Sequence, residues 1–424
     1  MSTFTAISHR SPARAGSAVV SSRTAFRLQI SILVLFLAGS IAPTPLYSIY
    51  EARWGFSPIT VTVVFGVYAL AVLASLLIVG SLSDHIGRRP VLLAAIAVQA
   101  VAMVVFATAG GVPALLVARI VQGLSSGAAL GALGAGLLDI DKPRGTIANG
   151  VGALAGTATG GIVSSLLVGY LPSPTRLVYL VVLAILVLQW VGVALMPESS
   201  TRKPGALASL RPQIGLPPAA RRPMLLAVPA LVAVWSLAGF YGSLGPTLTR
   251  LVAGSDSVVL GGLAMLALAG SAALTVLAVR NVAARRVMLF GTGTLAAGVA
   301  VTLVGVADSS TPAFFLGTAI AGVGFGAGFQ GALRTVLPLA APHERAGVLS
   351  IIYVVSYLGM GVPAVIAGLL VAHSGVIATA REYGLVVIGL AMLALIGQLT
   401  RRRTRRSPAA APRCTPHELR VEPT

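Results

Sequence analysis

Residues 80–90 read Gly80-Ser81-Leu82-Ser83-Asp84-His85-Ile86-Gly87-Arg88-Arg89-Pro90 and join two long apolar runs. The glycines in this stretch allow a sharp chain reversal, because glycine has no Cβ to restrict its backbone angles. One carboxylate and two guanidinium groups stand close together between the apolar runs. We therefore expect a tight, charged loop that connects two membrane-spanning helices at the membrane surface.

The composition of the 424-residue chain excludes a water-soluble protein. Hydrophobic residues make up 56 % of the chain and charged residues 10 %, whereas ordinary soluble domains carry about 25 % charged residues to wet their surface. The single cysteine, Cys414, has no partner for an internal disulfide. These numbers predict an all-α polytopic membrane protein and exclude a soluble enzyme and a secreted disulfide module.

Apolar runs predict twelve membrane helices, because about 20 apolar residues cross the hydrocarbon core and a helix satisfies its own backbone groups there. The predicted spans are 27–50, 60–82, 90–110, 112–138, 146–170, 176–196, 223–250, 258–279, 287–307, 312–338, 346–372 and 382–399. The first run is too long for a cleaved signal peptide, so we expect it to be retained. The predicted units are an N-tail (1–26), a six-helix bundle (27–197), a linker (198–222), a second bundle (223–399) and a C-tail (400–424).

The basic residues predict the orientation. The side that holds both predicted tails carries 25 Lys and Arg residues, the opposite side carries four, and Arg119 lies inside a span. Cytoplasmic loops of membrane proteins are enriched in Lys and Arg, so both termini should be cytoplasmic and the protein should be a multi-pass protein of the cell membrane. The net charge of +19 then needs no nucleic-acid partner.

Three motifs resemble signatures of the major facilitator superfamily. The 80–90 loop is similar to G-x-L-x-D-R-x-G-R-R, with His85 where the family usually has Arg. Span four contains Arg119-Ile120-Val121-Gln122-Gly123, which is similar to R-x-x-Q-G. Span five contains Gly152-x-x-x-Gly156-Thr157-Ala158-Thr159-Gly160-Gly161, which resembles the antiporter motif with Thr157 in place of proline. A shift of 197 residues places Arg285 and Arg286 under Arg88 and Arg89, as expected for a repeated six-span unit.

The resemblance implies two pseudo-symmetric six-helix bundles around a central cavity and assigns roles to named residues. It implies a gating loop at Gly80, Asp84, Gly87, Arg88 and Arg89. As a hypothesis, Asp84 accepts hydrogen bonds from the start of span eleven near Ala346 to Val348, and Arg88 pairs with Asp139 or Asp141. Arg119 would take part in proton coupling together with Gln122.

The predicted spans hold no acidic residue at mid-membrane, although proton-coupled carriers commonly use a buried carboxylate. Glu51 is the nearest candidate towards the outside and Asp139 the nearest towards the inside. Candidates for the substrate cavity are Tyr47, Tyr50, Trp235, Tyr241, Phe325, Phe329, Gln330 and Tyr357. The glycines Gly123, Gly127, Gly152, Gly156, Gly160 and Gly161 have an alternative role in close helix packing, because glycines four apart let helices approach.

The sequence favours a carrier and not an enzyme. The chain has no G-x-x-x-x-G-K-[ST] motif for nucleotide phosphates, and the spans hold no cluster of His, Asp, Glu or Cys. We expect no metal, no cofactor and no nucleotide, and a monomer that binds a small-molecule substrate, protons and the lipid bilayer. The predicted function is proton-coupled efflux by an antiporter of small amphipathic or lipophilic solutes. The alternatives are an uptake carrier, symporter or uniporter, for a metabolite, and a membrane sensor without transport.

Overall fold

A computed structural model describes residues 21–404, and all regular structure in this part of the chain is helical. Most of both predicted tails, residues 1–20 and 405–424, lies outside the described residues. Eleven helices of this part are long and apolar enough to cross a membrane, and the last of them is long enough to cross twice. The prediction of an all-α polytopic membrane protein is confirmed.

We number the membrane helices in chain order. The first ten are α1 Ser22–Trp54, α2 Pro58–Val79, α3 Arg88–Ala107, α4 Val112–Ile140, α5 Lys142–Tyr170, α6 Pro174–Ala194, α7 Pro218–Ser243, α8 Val258–Ala278, α9 Ala284–Ala307 and α10 Thr311–Leu339. The continuous segment Arg345–Thr404 changes direction at Gly375, which has φ +78° and ψ 169°. We call residues 345–374 α11 and residues 376–404 α12.

Proline begins many of these helices. The first turn contains a proline in α2, α4, α5, α6, α7 and α10. Proline suits this position because its fixed φ is helical. The N–H groups of the first turn have no acceptor within the helix, so the absence of an N–H in proline costs no hydrogen bond there. A proline in the first turn therefore marks the start of six of the membrane helices.

Three local features differ from the predicted spans. Gly375 alone separates α11 from α12, where a loop of 373–381 was expected, because a glycine at positive φ turns the chain in one residue. Helix α7 ends at Ser243 and is followed by a separate short helix, Gly245–Ala253, because Pro246 cannot continue the hydrogen-bond ladder. Helix α8 contains a π-helical turn at Leu266–Gly270.

The helices form two halves. Helices α1 to α6 pack mainly with one another, as do α7 to α12, and two pairs, α2 with α11 and α5 with α8, join the halves. Large apolar side chains point away from both halves, with Leu188 72 % exposed and Leu274 69 % exposed. Water would strongly disfavour such a surface, so hydrocarbon must surround the helices.

Candidate functional site

The chain between the two halves defines one end of the molecule. We call the end that holds the α2–α3 loop (80–87) and the α6–α7 linker (195–217) the linker face, and we call the opposite end the far face. Most candidate residues lie in four regions: the loop at the linker face, a buried cluster around Arg119, a cleft at the far face, and an aromatic cluster between the halves.

Arg88 is the centre of the loop at the linker face. Its side chain is nearly buried and forms ion pairs with Asp84, four residues earlier, and with Asp139 at the end of α4, where the N–O distance is 3.1 Å. It also donates to the hydroxyl of Ser83 at 2.7 Å. Of the two carboxylates that were expected as partners of Arg88, the structure places Asp139 in contact. Asp141 caps the start of α5 instead, accepting from the backbone N–H of Arg144.

Glu198, which the sequence did not single out, anchors this loop. Its carboxylate accepts from the backbone N–H of Arg88 at 2.8 Å and of Arg89 at 3.0 Å, at the N-terminus of α3. Negative charge is stabilising at a helix N-terminus, where N–H groups lack helical partners. Gly87 has φ +104°, and a Cβ there would lie 2.5 Å from a Glu198 oxygen. Because Glu198 caps a helix 110 residues away, no local sequence pattern signals it.

The linker continues across the molecule as a strap. The backbone N–H of Lys203 donates to the carbonyl of His85, and the hydroxyl of Ser81 donates to the carbonyl of Ser209, both at 2.9 Å. Beyond these contacts Gly215 packs against Gly347, where a Cβ would lie 2.8 Å from the Gly215 nitrogen. The strap thus touches the first half at residues 81–85 and the second half at the start of α11.

Asp84 therefore has a different partner from the one expected. Its carboxylate pairs with Arg88, and its side chain is about half exposed. The start of α11 near Gly347 faces Gly215 of the linker. The linker, residues 195–217, occupies the space that the hypothesis had given to Asp84. Gly215 packs directly against Gly347 because neither residue has a side chain to hold the two backbones apart. Gly80 ends α2 and lies against Gly131 of α4.

Arg119 of α4 is completely buried and is held by hydrogen bonds to neutral groups. Its guanidinium donates to the carbonyl of Ser40 and to the side-chain oxygen of Gln122, both at 2.7 Å, and to the hydroxyl of Tyr47, with a distance of 3.1 Å from Nε. The ion pairs found among residues 21–404 do not include Arg119. A buried guanidinium without a carboxylate is unusual, because burying a charge is costly unless it is paired.

Aromatic rings complete the environment of Arg119. The guanidinium carbon lies 5.7 Å from the ring centroid of Tyr47, 5.2 Å from that of Tyr68 and 5.7 Å from that of Phe106. The electron-rich faces of aromatic rings attract cations at this distance, and more strongly away from water. Three rings and three polar acceptors therefore replace an acidic partner and leave the site with a net positive charge.

The break in α1 supplies the backbone acceptors of this cluster. Pro43 has no N–H, so the carbonyl of Gly39, four residues earlier, has no helical donor. The side-chain nitrogen of Gln122 donates to this carbonyl at 2.9 Å, and Arg119 takes the adjacent carbonyl of Ser40. A proline in α1 and a polar pair in α4 are thus complementary parts of one site.

A cleft at the far face lies next to this cluster. Its walls come from α1 and the start of α2 on one side and from the end of α7 and the short helix after it on the other, with these residues: Thr44, Tyr47, Ser48, Glu51, Pro58, Val61, Ser243, Leu244, Pro246, Thr247 and Val376. Tyr47 links the two regions, because it lines the cleft and accepts from Arg119. Thr44 donates across the cleft to the carbonyl of Gly242 at 3.1 Å, which is a hydrogen bond between the halves.

Four of the predicted cavity aromatics meet in the middle of the molecule. The ring of Trp235 in α7 lies 6.1 Å from Phe325 and 5.6 Å from Phe329, both in α10, and 5.4 Å from Tyr357 in α11. Two of these residues, Trp235 and Tyr357, also pack with Tyr68 of α2, so the contacts bridge the halves. The indole nitrogen of Trp235 is buried and has no hydrogen-bond partner among the described residues.

Three other cavity candidates lie elsewhere. Tyr50 forms a 3.2 Å hydrogen bond with Tyr179 inside the first half, and Tyr241 forms one of 2.6 Å with Thr318 inside the second half. A helix places neighbouring residues on different faces, so an apolar run does not reveal which tyrosine faces the centre. Gln330 lies between the halves, next to Gly150 of α5.

The predicted packing glycines lie at close helix contacts. Gly152, Gly156 and Gly160 of α5 face α1, where a Cβ would lie within 3.0 Å of Leu33, Val34 or Ala38. Gly123 and Gly127 of α4 face α2 in the same way. Gly161 faces Met265 of α8 in the second half, so this glycine lies at the junction between the halves.

Comparison with known proteins agrees with this architecture. The family model described as Major Facilitator Superfamily matches residues 28–282, which is more than half of the chain. The chain belongs to the major facilitator superfamily. The crystal structure of the human organic anion transporter MFSD10 (TETRAN) is similar, with a TM-score of 0.63 and 18 % sequence identity, and covers 88 % of this chain and 100 % of that chain. No curated protein matches the chain.

Membership of this superfamily confirms the resemblance seen in the three motifs and assigns the chain to membrane transport. At 18 % identity the similarity to MFSD10 shows a shared fold and does not extend to the substrate. The direction of transport, the coupling ion and the solute depend on this chain's own side chains.

Proposed function

We propose that this superfamily member is a proton-coupled antiporter that exports small amphipathic or lipophilic solutes by alternating access. In this proposal the chain is a monomer of the cell membrane with both termini in the cytoplasm, so that the linker face is cytoplasmic. The excess of Lys and Arg at that face supports the orientation. Its partners are a small-molecule substrate, protons and lipid, without a nucleic acid.

The arrangement of Glu51 supports proton coupling. Glu51 lines the far cleft beside Tyr47, the residue that accepts from Arg119. Arg250, in the last turn of the short helix after α7, belongs to the opposite half, and an ionised Glu51 would be attracted towards its positive charge. Ionisation of Glu51 therefore favours closure of the far cleft, and protonation removes this attraction and favours opening. A charge that changes the balance between two conformations is the element that coupled transport requires.

The test uses an efflux-deficient host that expresses the full chain, with Nile red as a neutral, lipophilic fluorescent solute. We expect lower cellular fluorescence than in the empty host, and we expect the difference to vanish with a protonophore. Glu51→Gln should remove the gradient-dependent difference, because glutamine cannot exchange a proton. Glu382→Gln is the matched control, since Glu382 is exposed at the start of α12 and should retain export.

Three results would count against the proposal. Higher fluorescence in cells with the wild-type chain would favour the uptake carrier. Lower fluorescence that persists with the protonophore would separate export from the proton gradient. Full activity of Glu51→Gln would assign proton coupling to another group.

A further inference from the structure

We propose that residues 202–211 of the linker are a membrane-surface anchor, which binds the anionic headgroups of the adjacent lipid leaflet and inserts Leu207 among them. The partner is a bilayer surface that carries negative charge. The inference depends on one exposed apolar side chain, on the unpaired positive charges around it, and on the place where the strap meets α2. It does not depend on the solute, the direction or the coupling of the transport proposed above.

Leu207 is the apolar part of this anchor. Its side chain is 84 % exposed, which is the highest value among the large hydrophobic side chains of the described residues. It lies in the linker, outside the membrane helices, so the hydrocarbon around those helices does not account for its exposure. A leucine at the edge of a bilayer gains free energy when it enters the apolar part of the lipid interface.

Basic side chains flank Leu207 on both sides. Arg202, Lys203 and Arg211 are exposed, and the ion pairs found among residues 21–404 do not include them. The segment 199–222 contains no acidic residue. An anionic leaflet attracts Lys and Arg near its surface and favours the bound position about fivefold for each of them. The orientation of the chain requires positive charge at this face, but it does not require a leucine exposed among the cations.

The acidic residues that adjoin the strap are already engaged. Glu198 accepts from the backbone N–H groups at the start of α3, and Asp84 pairs with Arg88. These carboxylates neutralise charge within the protein, on the α2–α3 loop. The cations of the anchor therefore attract an anion from outside the protein.

The strap holds Leu207 at the level where α2 leaves the membrane. The turn Ala208–Leu210 packs against α2, and the hydroxyl of Ser81, two residues after the end of α2, donates to the carbonyl of Ser209 at 2.9 Å. The apolar surface of α2 extends almost to this point, since Ile78 is 43 % exposed. The anchor thus begins where the apolar surface ends, and this boundary corresponds to the depth of the lipid headgroups.

The test measures contact between the strap and lipid in nanodiscs that contain the full chain. In a Cys414→Ser background, Ala208→Cys carries a bimane fluorophore at an exposed position next to Leu207. The quencher is phosphatidylcholine with a nitroxide near the carbonyl end of an acyl chain. With equal parts of phosphatidylglycerol in the disc, we expect at least about fivefold more quenching than in phosphatidylcholine alone, as one bound cation would give. Equal quenching in both bilayers, or none in either, overturns the proposal.

An excess of glycerol 3-phosphate distinguishes a lipid surface from a free phosphate. Quenching in the discs with phosphatidylglycerol should persist, because three cations and Leu207 hold the surface together, whereas one small anion engages only the cations. Complete loss of quenching would mean that a free phosphate occupies the segment, and it would overturn the lipid surface as the partner.

Two variants test the two parts of the anchor. The combined change Arg202→Gln, Lys203→Gln and Arg211→Gln should remove the additional quenching that phosphatidylglycerol causes. Leu207→Ser should lower quenching about fivefold in the same discs, because even partial burial of a leucine side chain contributes that much. Wild-type quenching in both variants overturns the proposal.

The matched controls change the same residue types at the far face. Leu171→Ser replaces a leucine that is 45 % exposed after α5. The combined charge control replaces three exposed arginines by glutamine: Arg53→Gln, Arg176→Gln and Arg381→Gln. Both controls should keep wild-type quenching at Ala208→Cys, and a loss equal to that of the linker variants would overturn the assignment to the strap. The measurement uses no solute and no gradient, so its failure would leave the proposed transport function untouched.

Discussion

Arg119 holds its charge inside the protein through the shape of its guanidinium. Three acceptors (Ser40, Tyr47 and Gln122) lie around the planar group, and a lysine ammonium would reach only part of this set from its more flexible stem. We predict that Arg119→Lys lowers the free energy of unfolding by about 3 kcal/mol, because a hydrogen bond to a charged group contributes about 1.5–3 kcal/mol. SDS titration of the protein in mixed micelles measures this change.

The control for this prediction is Arg381→Lys, at an exposed position of α12. It makes the same chemical change where the solvent can satisfy either side chain, and it should leave the unfolding curve in place. Equal stability of both variants would mean that the fork geometry of Arg119 has no structural role.

At this scale the sequence predicted the central residues but not their surroundings. Arg119 and Gln122 follow from a polar pair inside an apolar run. Their acceptor at Gly39 is detectable in principle, because Pro43 removes the donor four residues later. Tyr68 and Phe106 are ordinary aromatic residues of apolar spans, and only the packing of three helices places them around one cation.

Helix α4 provides a test of glycine packing at the scale of an element. A Cβ on Gly127 would lie 2.5 Å from the Ser75 Cβ and 2.7 Å from the Val72 carbonyl oxygen of α2, whereas a Cβ on Gly134 would have no neighbour within 4 Å. We predict that Gly127→Ala lowers the free energy of unfolding by about 1–3 kcal/mol, because α2 must move away. The same SDS titration measures it.

Gly134→Ala serves as the matched control in the same helix. In a helix interior alanine is more favourable than glycine by about 1 kcal/mol. The Gly134→Ala variant should therefore be as stable as the wild type or slightly more stable. A loss of stability at both positions would indicate a general sensitivity of α4, and the specific contact with α2 would then not be the cause.

The helices themselves were predictable, whereas their irregularities were not. Long apolar runs identify membrane helices because lipid leaves the backbone no other arrangement. The single-residue turn at Gly375 and the π-helical turn at Leu266–Gly270 change the hydrogen bonding of only a few residues within apolar sequence. Composition averaged over 20 residues does not respond to such short features, so the predicted loop between α11 and α12 was too long.

For the whole molecule, the two faces are closed by different devices. At the far face the halves share the hydrogen bond from Thr44 to Gly242. At the linker face the strap lies over the α2–α3 loop and packs Gly215 against Gly347. In alternating access one face opens as the other closes. Weakening the far-face contact should therefore increase the population that is open at the far face, and weakening the linker-face contact should increase the population that is open at the linker face. Opposite effects of the two changes would distinguish an exchange of the whole molecule between two states from local loosening around the substituted residue.

Thr44→Val keeps the side-chain shape and removes the far-face hydrogen bond, while Gly347→Val displaces the strap at the linker face. In a Cys414→Ser background, we predict that Thr44→Val raises the maleimide labelling rate of Ser48→Cys in the far cleft and lowers that of Leu77→Cys in α2. Gly347→Val should do the reverse. A hydrogen bond of about 1 kcal/mol corresponds to a change of about fivefold in population.

Gly389→Val is the control for added bulk, because a Cβ there has open space around it, and both labelling rates should remain at their wild-type values. The opposite signs are the decisive feature, since a folded protein with two exclusive states cannot gain access at both faces at once. If either Thr44→Val or Gly347→Val raised both labelling rates, the two faces would open independently. The prediction that these contacts control an exchange between two states would then be wrong.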